Sequence, residues 1–562
     1  MVLAPDSLAP ETTDVIALAS PPRPRASFLA AIAPTVILSW GWRRRLVALV
    51  AGAIGALAMP PVGFLPALVV SMVVAVWLID GAAHGGERLG GSVATLWTAF
   101  VAGWWWGFGY FLASLWWLGA AFLVDPQFIW ALPLGVIALP AALATFPGFG
   151  FALARGVWPQ GAARALALAF GLGLSEGLRA VVLTGFPWNE FGLALGQHLV
   201  LAQGAAYVGQ HGLTLAAIAL CAAPATLWGA RGWRRWAPTG VALIGLGALA
   251  GFGFHRLTEP PPPPVASVKL RIMQTTLTQG ADFTPEKGGE ILSRYLSLSD
   301  RPGPGRSGVA DVTHLIWPES AFPFLLAKEP GALARLTEFL RGGAVLAVGA
   351  ARADGATQER RPRYYNSILT LNLTGLLPAR YDKRHLVPFG EYLPFQSAFE
   401  RIGLTQFVHI PGGFSPGRGP DLLPMPGAPD ALASICYEAI FPSEWGGVRD
   451  GANDRAGWIV NVTDDAWFGL TPGPYQHFAQ ARLRAIEWGL PLVRAANGGL
   501  SAIIDAYGRV VASADLGAEA VIDGELPGAL PPTPESRWGS ALFAAGLVLA
   551  LAVSAAARSR KR

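Results

Sequence analysis

The 562-residue chain is poor in charge, in cysteine and above all in lysine. Asp, Glu, Lys and Arg make up 14% of it against 52% hydrophobic residues, where a soluble globular chain is about one quarter charged. That shortage excludes a plain soluble globule, and the high hydropathy excludes a wholly disordered chain. Two cysteines, Cys221 and Cys436, exclude a disulfide scaffold, so a special cysteine here acts as a single thiol. No run of His, Cys and Asp has metal-ligand spacing, and spots such as Gly412-Gly413 do not form a phosphate loop. No metal or other cofactor is therefore expected. No 20–50-residue repeat is present either.

The few charges are unevenly placed. The 226 residues between Phe28 and His255 carry only 15 of them, ten Arg and five acids, and no Lys. The rest of the chain is much nearer an ordinary soluble composition, which predicts a membrane part and a soluble part. The net charge of +5 does not argue for a nucleic-acid partner, because the excess falls at the edges of apolar stretches.

Residues 1–42 are expected to be an N-terminal extension, mostly disordered. The stretch to about Ala26 is rich in Pro, Ser and Ala and lacks the short basic start of a signal peptide. Phe28 to Trp42 is apolar but short for a span, and reads as an extra span or an interfacial segment. Residues 43–255 are expected to hold seven transmembrane helices, near 46–61, 63–80, 94–122, 128–154, 162–183, 200–228 and 238–254. An eighth, near 539–557 within 534–562, precedes the basic tail Arg558, Arg560, Lys561 and Arg562. The charges test this count. One set of loops holds Arg43–Arg45, Arg88, Arg155 with Arg164, and Arg231 with Arg234 and Arg235; the short loops of the other side, around Pro60, around Asp125 and over 185–199, hold no Lys or Arg. By the positive-inside rule the first set is cytoplasmic. The long segment 266–533, reached through the Pro-rich linker 256–265 with its five consecutive prolines Pro260 to Pro264, then lies outside the cytoplasm.

That segment alternates strand and helix signals. Val268–Ile272, Val312–Trp317, Ala344–Val348, Ile368–Leu373, Ala431–Ile435 and Trp458–Val462 read as strands, and Gln476–Trp488 as a helix. Asp505-Ala506-Tyr507-Gly508 reads as the turn of a hairpin between Ala502–Ile504 and Val510–Ala512. One layered α/β domain is the expectation.

Three residues can carry chemistry. Cys436 closes the apolar run Ala-Ser-Ile-Cys-Tyr-Glu, where a strand delivers a side chain to a sheet edge; it is a nucleophile or a buried structural thiol. Cys221 sits mid-span and reads as packing. Lys383 is one of five lysines against 37 arginines, so a compact ammonium is either chosen here or merely exposed. Glu319 follows an apolar strand beside Trp317 and Pro318, where partial desolvation suits a general base and a solvated loop carboxylate is the alternative. The 21 tryptophans, Trp104–Trp106 and Trp116–Trp117 among them, read as an interfacial belt before a substrate groove.

In this order on an α/β domain, Glu319, Lys383 and Cys436 resemble the Glu–Lys–Cys triad of the nitrilase superfamily, and more closely its membrane branch, the apolipoprotein N-acyltransferases. The resemblance rests on Ile316-Trp317-Pro318-Glu319-Ser320-Ala321, on Lys383-Arg384-His385-Leu386-Val387-Pro388-Phe389-Gly390-Glu391 and on Ile435-Cys436-Tyr437-Glu438. It extends to Asp465-Ala466-Trp467-Phe468-Gly469, to Arg484-Ala485-Ile486-Glu487 with Pro491, Arg494 and Asn497-Gly498-Gly499, and in the membrane part to Leu183-Thr184-Gly185-Phe186-Pro187-Trp188. Asp464 departs from the family's usual Asn.

The resemblance implies a polytopic α-helical membrane protein of about eight spans carrying a nitrilase-like α-β-β-α sandwich domain. It implies Cys436 as nucleophile, Glu319 as general base and Lys383 as oxyanion stabiliser, supported by Glu391, Glu438 and Tyr437. The implied reaction takes an acyl chain from a phospholipid, through a thioester, to the α-amino group of a lipoprotein's diacylglyceryl-cysteine. The implied location is the bacterial inner membrane, with the domain on the periplasmic side. The apolar loops Phe322–Leu326 and Phe395–Phe407 are expected as lipid-facing arms. A tethered amidase acting on a soluble substrate is a second reading. A non-catalytic receptor or transporter, with Glu176 and Arg179 marking a polar path, is a third.

Overall fold

The computed structural model describes residues 28–559 apart from 90–91, 229–231, 279–282, 304, 356–361, 397–400, 402–405, 407–409, 411, 419–421, 443 and 446–455. The expectations for the lead 1–27, for Arg231, for the tail 560–562 and for most of the arm 395–407 lie outside the described residues.

The membrane part is helical because its apolar runs have nowhere else to place their backbone polar groups. Among the described residues, six helical stretches are long and apolar enough to cross a bilayer: Leu65–Ala82, Ser92–Leu123, Leu134–Gly156, Ala205–Leu227, Ala237–Thr258 and Pro534–Ser559. The expected stretches 46–61 and 162–183 fall on the shorter helices Gly41–Gly55 and Arg164–Arg179, of 15 and 16 residues. Phe28–Ile37 is a helix of 10 residues. Small residues set the bundle spacing. A side chain at Gly52 would strike the backbone of Trp106, and one at Gly109 the backbone of Leu49, so two glycines let the Gly41–Gly55 and Ser92–Leu115 helices touch backbone to backbone.

The soluble part is two six-stranded sheets packed face to face. The first has the order β12-β1-β2-β3-β4-β5 and the second β11-β10-β9-β8-β7-β6. In the first, β1 (Lys269–Gln274), β2 (His314–Trp317) and β3 (Val345–Asp354) run parallel, while β4 (Arg363–Asn372) is antiparallel to both β3 and β5 (Gly375–Asp382), and β12 (Ala520–Glu525) closes the edge beside β1. In the second, β7 (Asp430–Ile435), β8 (Ala456–Asp464) and β9 (Leu492–Asn497) run parallel, flanked by β6 (Leu422–Leu423) and the hairpin of β10 (Ala502–Ile504) with β11 (Val510–Ser513).

Period-two alternation builds the layers. Ile316 of β2 points into the inter-sheet core with Ile435, Val460 and Val462, while its neighbours Leu315 and Trp317 point outward under the Gly288–Ser299 and Pro330–Phe339 helices. On the second sheet, Ile459, Leu492 and Ile504 face outward against Ala481, Ala485 and Trp488 of the Pro472–Trp488 helix. The result is an α-β-β-α sandwich. The outer face of the Pro472–Trp488 helix carries Ala479, Leu483 and Ile486 into the core of the membrane bundle, so one helix joins the two parts.

The expected strands are all present with shifted ends. The second begins at His314 rather than Val312, because a short 3-10 turn over Val309–Asp311 precedes it. The helix read as Gln476–Trp488 starts at Pro472, where Thr471 Oγ1 caps the Gly473 amide and proline suits the first turn. The expected hairpin turn forms, with Asp505 Oδ1 accepting from the Tyr507 and Arg509 amides at 2.9 and 2.8 Å. The expectation of a lipid-facing arm at Phe322–Leu326 is overturned. Phe322 and Leu326 are buried in the layer beneath the first sheet, Phe322 packing on Trp317 and Tyr295.

Candidate active site

Strand polarity gathers the chemistry at one end of the sandwich. Glu319 lies just beyond the C-terminal end of β2, Lys383 just beyond β5, Cys436 just beyond β7, and Asp464 is the last residue of β8. Since β4 runs the other way, Asn366 in its N-terminal half arrives at the same end. Carboxyl ends of parallel strands are where layered α/β sheets expose residues to ligands. Gly349 of β3 lets Glu319 approach: a side chain there would collide with the Glu319 backbone.

Glu319, Lys383 and Glu391 form one buried network around Asn366. Lys383 Nζ stands 2.9 Å from Glu391 Oε2 and 3.5 Å from Glu319 Oε1. The Asn366 amide donates to Glu319 Oε1 and to Glu391 Oε1, each at 2.7 Å, and so fixes both carboxylates. Glu319 Oε2 takes the Asp464 amide at 2.8 Å, and Glu391 Oε2 takes the Val387 amide at 2.8 Å. Burial opposes the Lys383 ammonium, but Glu391 and Glu319 together outweigh it and hold this lysine charged, above the usual lysine range.

Cys436 has φ +50, a left-handed conformation uncommon outside glycine, and opens a short 3-10 turn after β7. Burial and the nearby Glu319 push its thiol well above the ordinary range, against which Lys383 works. The resting group is therefore a thiol, and a thiol becomes a good nucleophile only when a base takes its proton. Behind it, the carbonyl of Cys436 accepts from His477 Nε2 at 3.0 Å, and His477 Nδ1 meets Asp465 Oδ1 at 2.7 Å. Asp465 also receives Arg494 Nη2 at 2.7 Å and the Thr463 hydroxyl at 2.9 Å. Though burial opposes its charge, His477 and Arg494 draw Asp465 down to about 2, so it is an anion throughout the physiological range.

The three supporting residues take different positions. Glu391 holds Lys383. Glu438 holds the loops: its Oε1 accepts from the Tyr381 hydroxyl and the Arg384 and His385 amides at 2.9, 2.7 and 3.1 Å, and its Oε2 from the Ile435 amide at 2.7 Å. Burial and the neighbouring Glu444 raise Glu438 to about 7. Tyr437 donates its hydroxyl to the Gly185 carbonyl at 2.7 Å, joining the residue after the thiol to the membrane part. Arg179, which as a polar path would have needed a free head group, instead pairs with Glu176 and donates to the Trp188 carbonyl at 3.0 Å, bracing the 183–188 loop.

Sequence reasoning gave no role to Asn366, Gln476 or His477. Asn366 had a weak signal, a polar residue at an inward position of an alternating strand. The helix pair had none beyond its helical spacing. Among the described residues no group of three His, Cys, Asp or Glu converges to hold a metal. The assembled groups comprise a carboxylate base, a fixed ammonium and a thiol at one strand-end cluster, which suits acyl transfer through a covalent thioester.

Comparison with known proteins agrees with this chemistry. Residues 315–530 match the carbon-nitrogen hydrolase family, and residues 51–223 match the apolipoprotein N-acyltransferase N-terminal domain. The chain is 49% identical over 520 residues to the apolipoprotein N-acyltransferase of Rhodopseudomonas palustris, covering 92% of this chain and 95% of that one. It is 49% identical over 537 residues to that of Bradyrhizobium diazoefficiens, covering 95% and 98%. With that of Allorhizobium ampelinum it shares 43% identity over 533 residues, covering 94% and 98%.

Proposed function

The chain belongs to the apolipoprotein N-acyltransferase family, and from that premise we propose that it carries an acyl chain from a membrane phospholipid, through a thioester on Cys436, to the α-amino group of a lipoprotein's N-terminal diacylglyceryl-cysteine. It is an N-acyltransferase of the lipoprotein-maturation class. The observation that carries the mechanism is the Glu319–Lys383–Cys436 constellation, gathered by strand polarity on the sandwich end that meets the membrane part.

In the first half-reaction Glu319 takes the thiol proton as Cys436 Sγ attacks the ester carbonyl. Lys383 stabilises the oxyanion of the tetrahedral intermediate. Collapse breaks the ester C–O bond, the proton passes from Glu319 to the departing alkoxide, and a lysophospholipid leaves. In the second half the acceptor amine attacks the thioester and loses its proton to Glu319. The C–S bond then breaks, Glu319 returns that proton to the departing Cys436 thiolate, and an amide remains. Two displacements through one thioester give ping-pong kinetics.

Both substrates keep their tails in the bilayer. Lifting a chain out would cost about 0.8 kcal/mol per CH₂, so a site seated on the membrane part avoids that cost. We place the enzyme in the bacterial inner membrane with eight spans, the two shorter helices Gly41–Gly55 and Arg164–Arg179 crossing in company with longer neighbours. The catalytic domain, 266–533, then faces the periplasm, the linker 256–265 leads into it from spans 43–255, and 534–562 returns the chain to the cytoplasm. The basic loops on the opposite side support this orientation. Intact mass of protein purified from membranes tests the function. Wild type carries a fatty-acyl adduct that Cys436→Ala lacks; equal masses apart from the substitution, under slow turnover, would refute it.

A further inference from the structure

The Pro472–Trp488 helix has two stripes. Gln476, Ala479, Leu483 and Ile486 turn toward the membrane part, while His477, Ala481, Ala485 and Trp488 turn toward the second sheet. Consecutive helical residues point about 100° apart, so Gln476 and His477 lead the two stripes from neighbouring positions.

Gln476 has all its hydrogen-bonding capacity engaged by the membrane part. Its Oε1 accepts from Trp117 Nε1 at 3.0 Å, Trp188 Nε1 at 3.0 Å and Asn189 Nδ2 at 2.9 Å. Its Nε2 donates to the Pro60 and Ser114 carbonyls, each at 3.2 Å. Three separate segments of the membrane part thus converge on one buried amide of the soluble part. His477 meanwhile holds the carbonyl of Cys436, whose φ of +50 is a strained conformation that this bond helps to hold. Trp188 touches both, bonding Gln476 and packing its ring 5.2 Å from that of His477.

We propose that Gln476 and His477 are a positioning pair that makes the geometry of the Cys436 nucleophile depend on how the catalytic helix is seated on the membrane part. Gln476 reads the seat and His477 passes it to the strained backbone of Cys436. The inference rests on Cys436 being the nucleophile. It adds that the soluble domain alone does not set the thiol, and gives Trp188 of the 183–188 motif a place in that relay.

The test uses the full-length protein in detergent carrying Cys221→Ala, so that Cys436 is the sole thiol. Gln476→Leu, His477→Asn and Gln203→Leu are compared for Cys436 alkylation by iodoacetamide, for acyl-adduct formation and for melting temperature. Gln203 also ties the two parts, donating to the Tyr507 carbonyl at 2.9 Å, while its other side-chain bonds go to the Leu199 carbonyl and Arg256, away from the Cys436 support. Gln476→Leu and His477→Asn should slow alkylation and acylation together by at least about tenfold, as expected when a reacting atom is displaced. Gln203→Leu should lower the melting temperature while alkylating at the wild-type rate. Wild-type alkylation in Gln476→Leu, or equal slowing in Gln203→Leu, overturns the proposal. If wild type forms no acyl adduct while alkylation still depends on Gln476, the acyl-transfer reading fails and the positioning role stands.

Discussion

Lys383 is anchored by Glu391: its ammonium lies 2.9 Å from Glu391 Oε2, closer than its 3.5 Å approach to Glu319. Two carboxylates share one cation, but unequally. The closer one holds the charge in place, and the farther one keeps its oxygens toward Asn366 and the Asp464 amide. In the proposed mechanism, that division lets Glu319 gain and lose a proton while Lys383 stays in place to stabilise the oxyanion.

Glu391→Gln tests the division. The ammonium should shift toward Glu319, and we expect kcat to fall about tenfold with adduct formation still detectable. Lys383→Met removes the oxyanion donor itself and should cost about 10²–10³-fold. Steady-state rates with intact-mass detection of the acyl-enzyme separate the two. Equal losses would mean that Glu391 does more than hold Lys383.

His385 supplies a pH dependence. Its Nδ1 meets Glu444 Oε2 at 2.7 Å and its Nε2 meets the Thr184 carbonyl at 3.1 Å, so both nitrogens face acceptors and the charged ring satisfies both. Burial lowers its pKa, but Glu444 more than restores it, leaving it above the ordinary value. A raised histidine contributes stability that is complete below its unfolded pKa of about 6.5 and is lost as pH climbs through the folded value. Protection from hydrogen exchange over 183–186, taken relative to the intrinsic rate at each pH, should therefore fall as pH rises from 6 to 9. His385→Phe, which keeps the stack on Phe441, should show no such trend. A pH-independent wild type would refute this.

Tyr437→Phe removes the donor to Gly185 and leaves a buried carbonyl unpaired. Such a loss costs about 1–3 kcal/mol. Because the contact joins the residue after the thiol to the membrane part, acylation should slow along with the fall in melting temperature. A variant that melts earlier but acylates at the wild-type rate would make Tyr437 a packing residue only.

The proposed triad stood out in the sequence for compositional reasons. Lys383 stands out in a chain of arginines, and Cys436 is one of two thiols. Glu319 and Cys436 follow apolar runs, so the strands that deliver them were legible too, but β5, which delivers Lys383, is half-exposed and gave no such run. Gln476 was not, because its partners come from residues 60, 114, 117, 188 and 189, and no local pattern announces a convergence of that range. Hydropathy also misjudged Phe322–Leu326. A short apolar run says that the residues avoid water, and here they do so beneath a sheet rather than in lipid. For the stretches 46–61 and 162–183 it reported apolar composition, while the helices stop at Gly55 and Arg179.

Asp464 gives the last prediction. An acid where the family resemblance leads one to expect Asn would, if ionised, place a second anion beside Glu319. Its surroundings argue otherwise. Its Oδ1 accepts from Asn497 Nδ2 at 2.9 Å and from the Ala466 amide at 3.2 Å, contacts an amide oxygen makes equally well. Burial first, then the charge of Glu319, drive its pKa upward, so the folded state favours the protonated form and works against a second charge near the thiol. The sign of the linkage follows. Above an unfolded pKa of about 3.9 the folded state binds a proton that the unfolded state has released, so stability falls as pH rises. Asp464→Asn removes that loss. The variant should gain melting temperature relative to wild type as pH rises above about 4, while its acylation rate at pH 7 stays within about threefold of wild type, since the amide oxygen accepts the same hydrogen bonds from Asn497 and Ala466. A drop of tenfold or more, or a stability gap that closes as pH rises, would mean that Asp464 is ionised and that its charge takes part in setting the thiol.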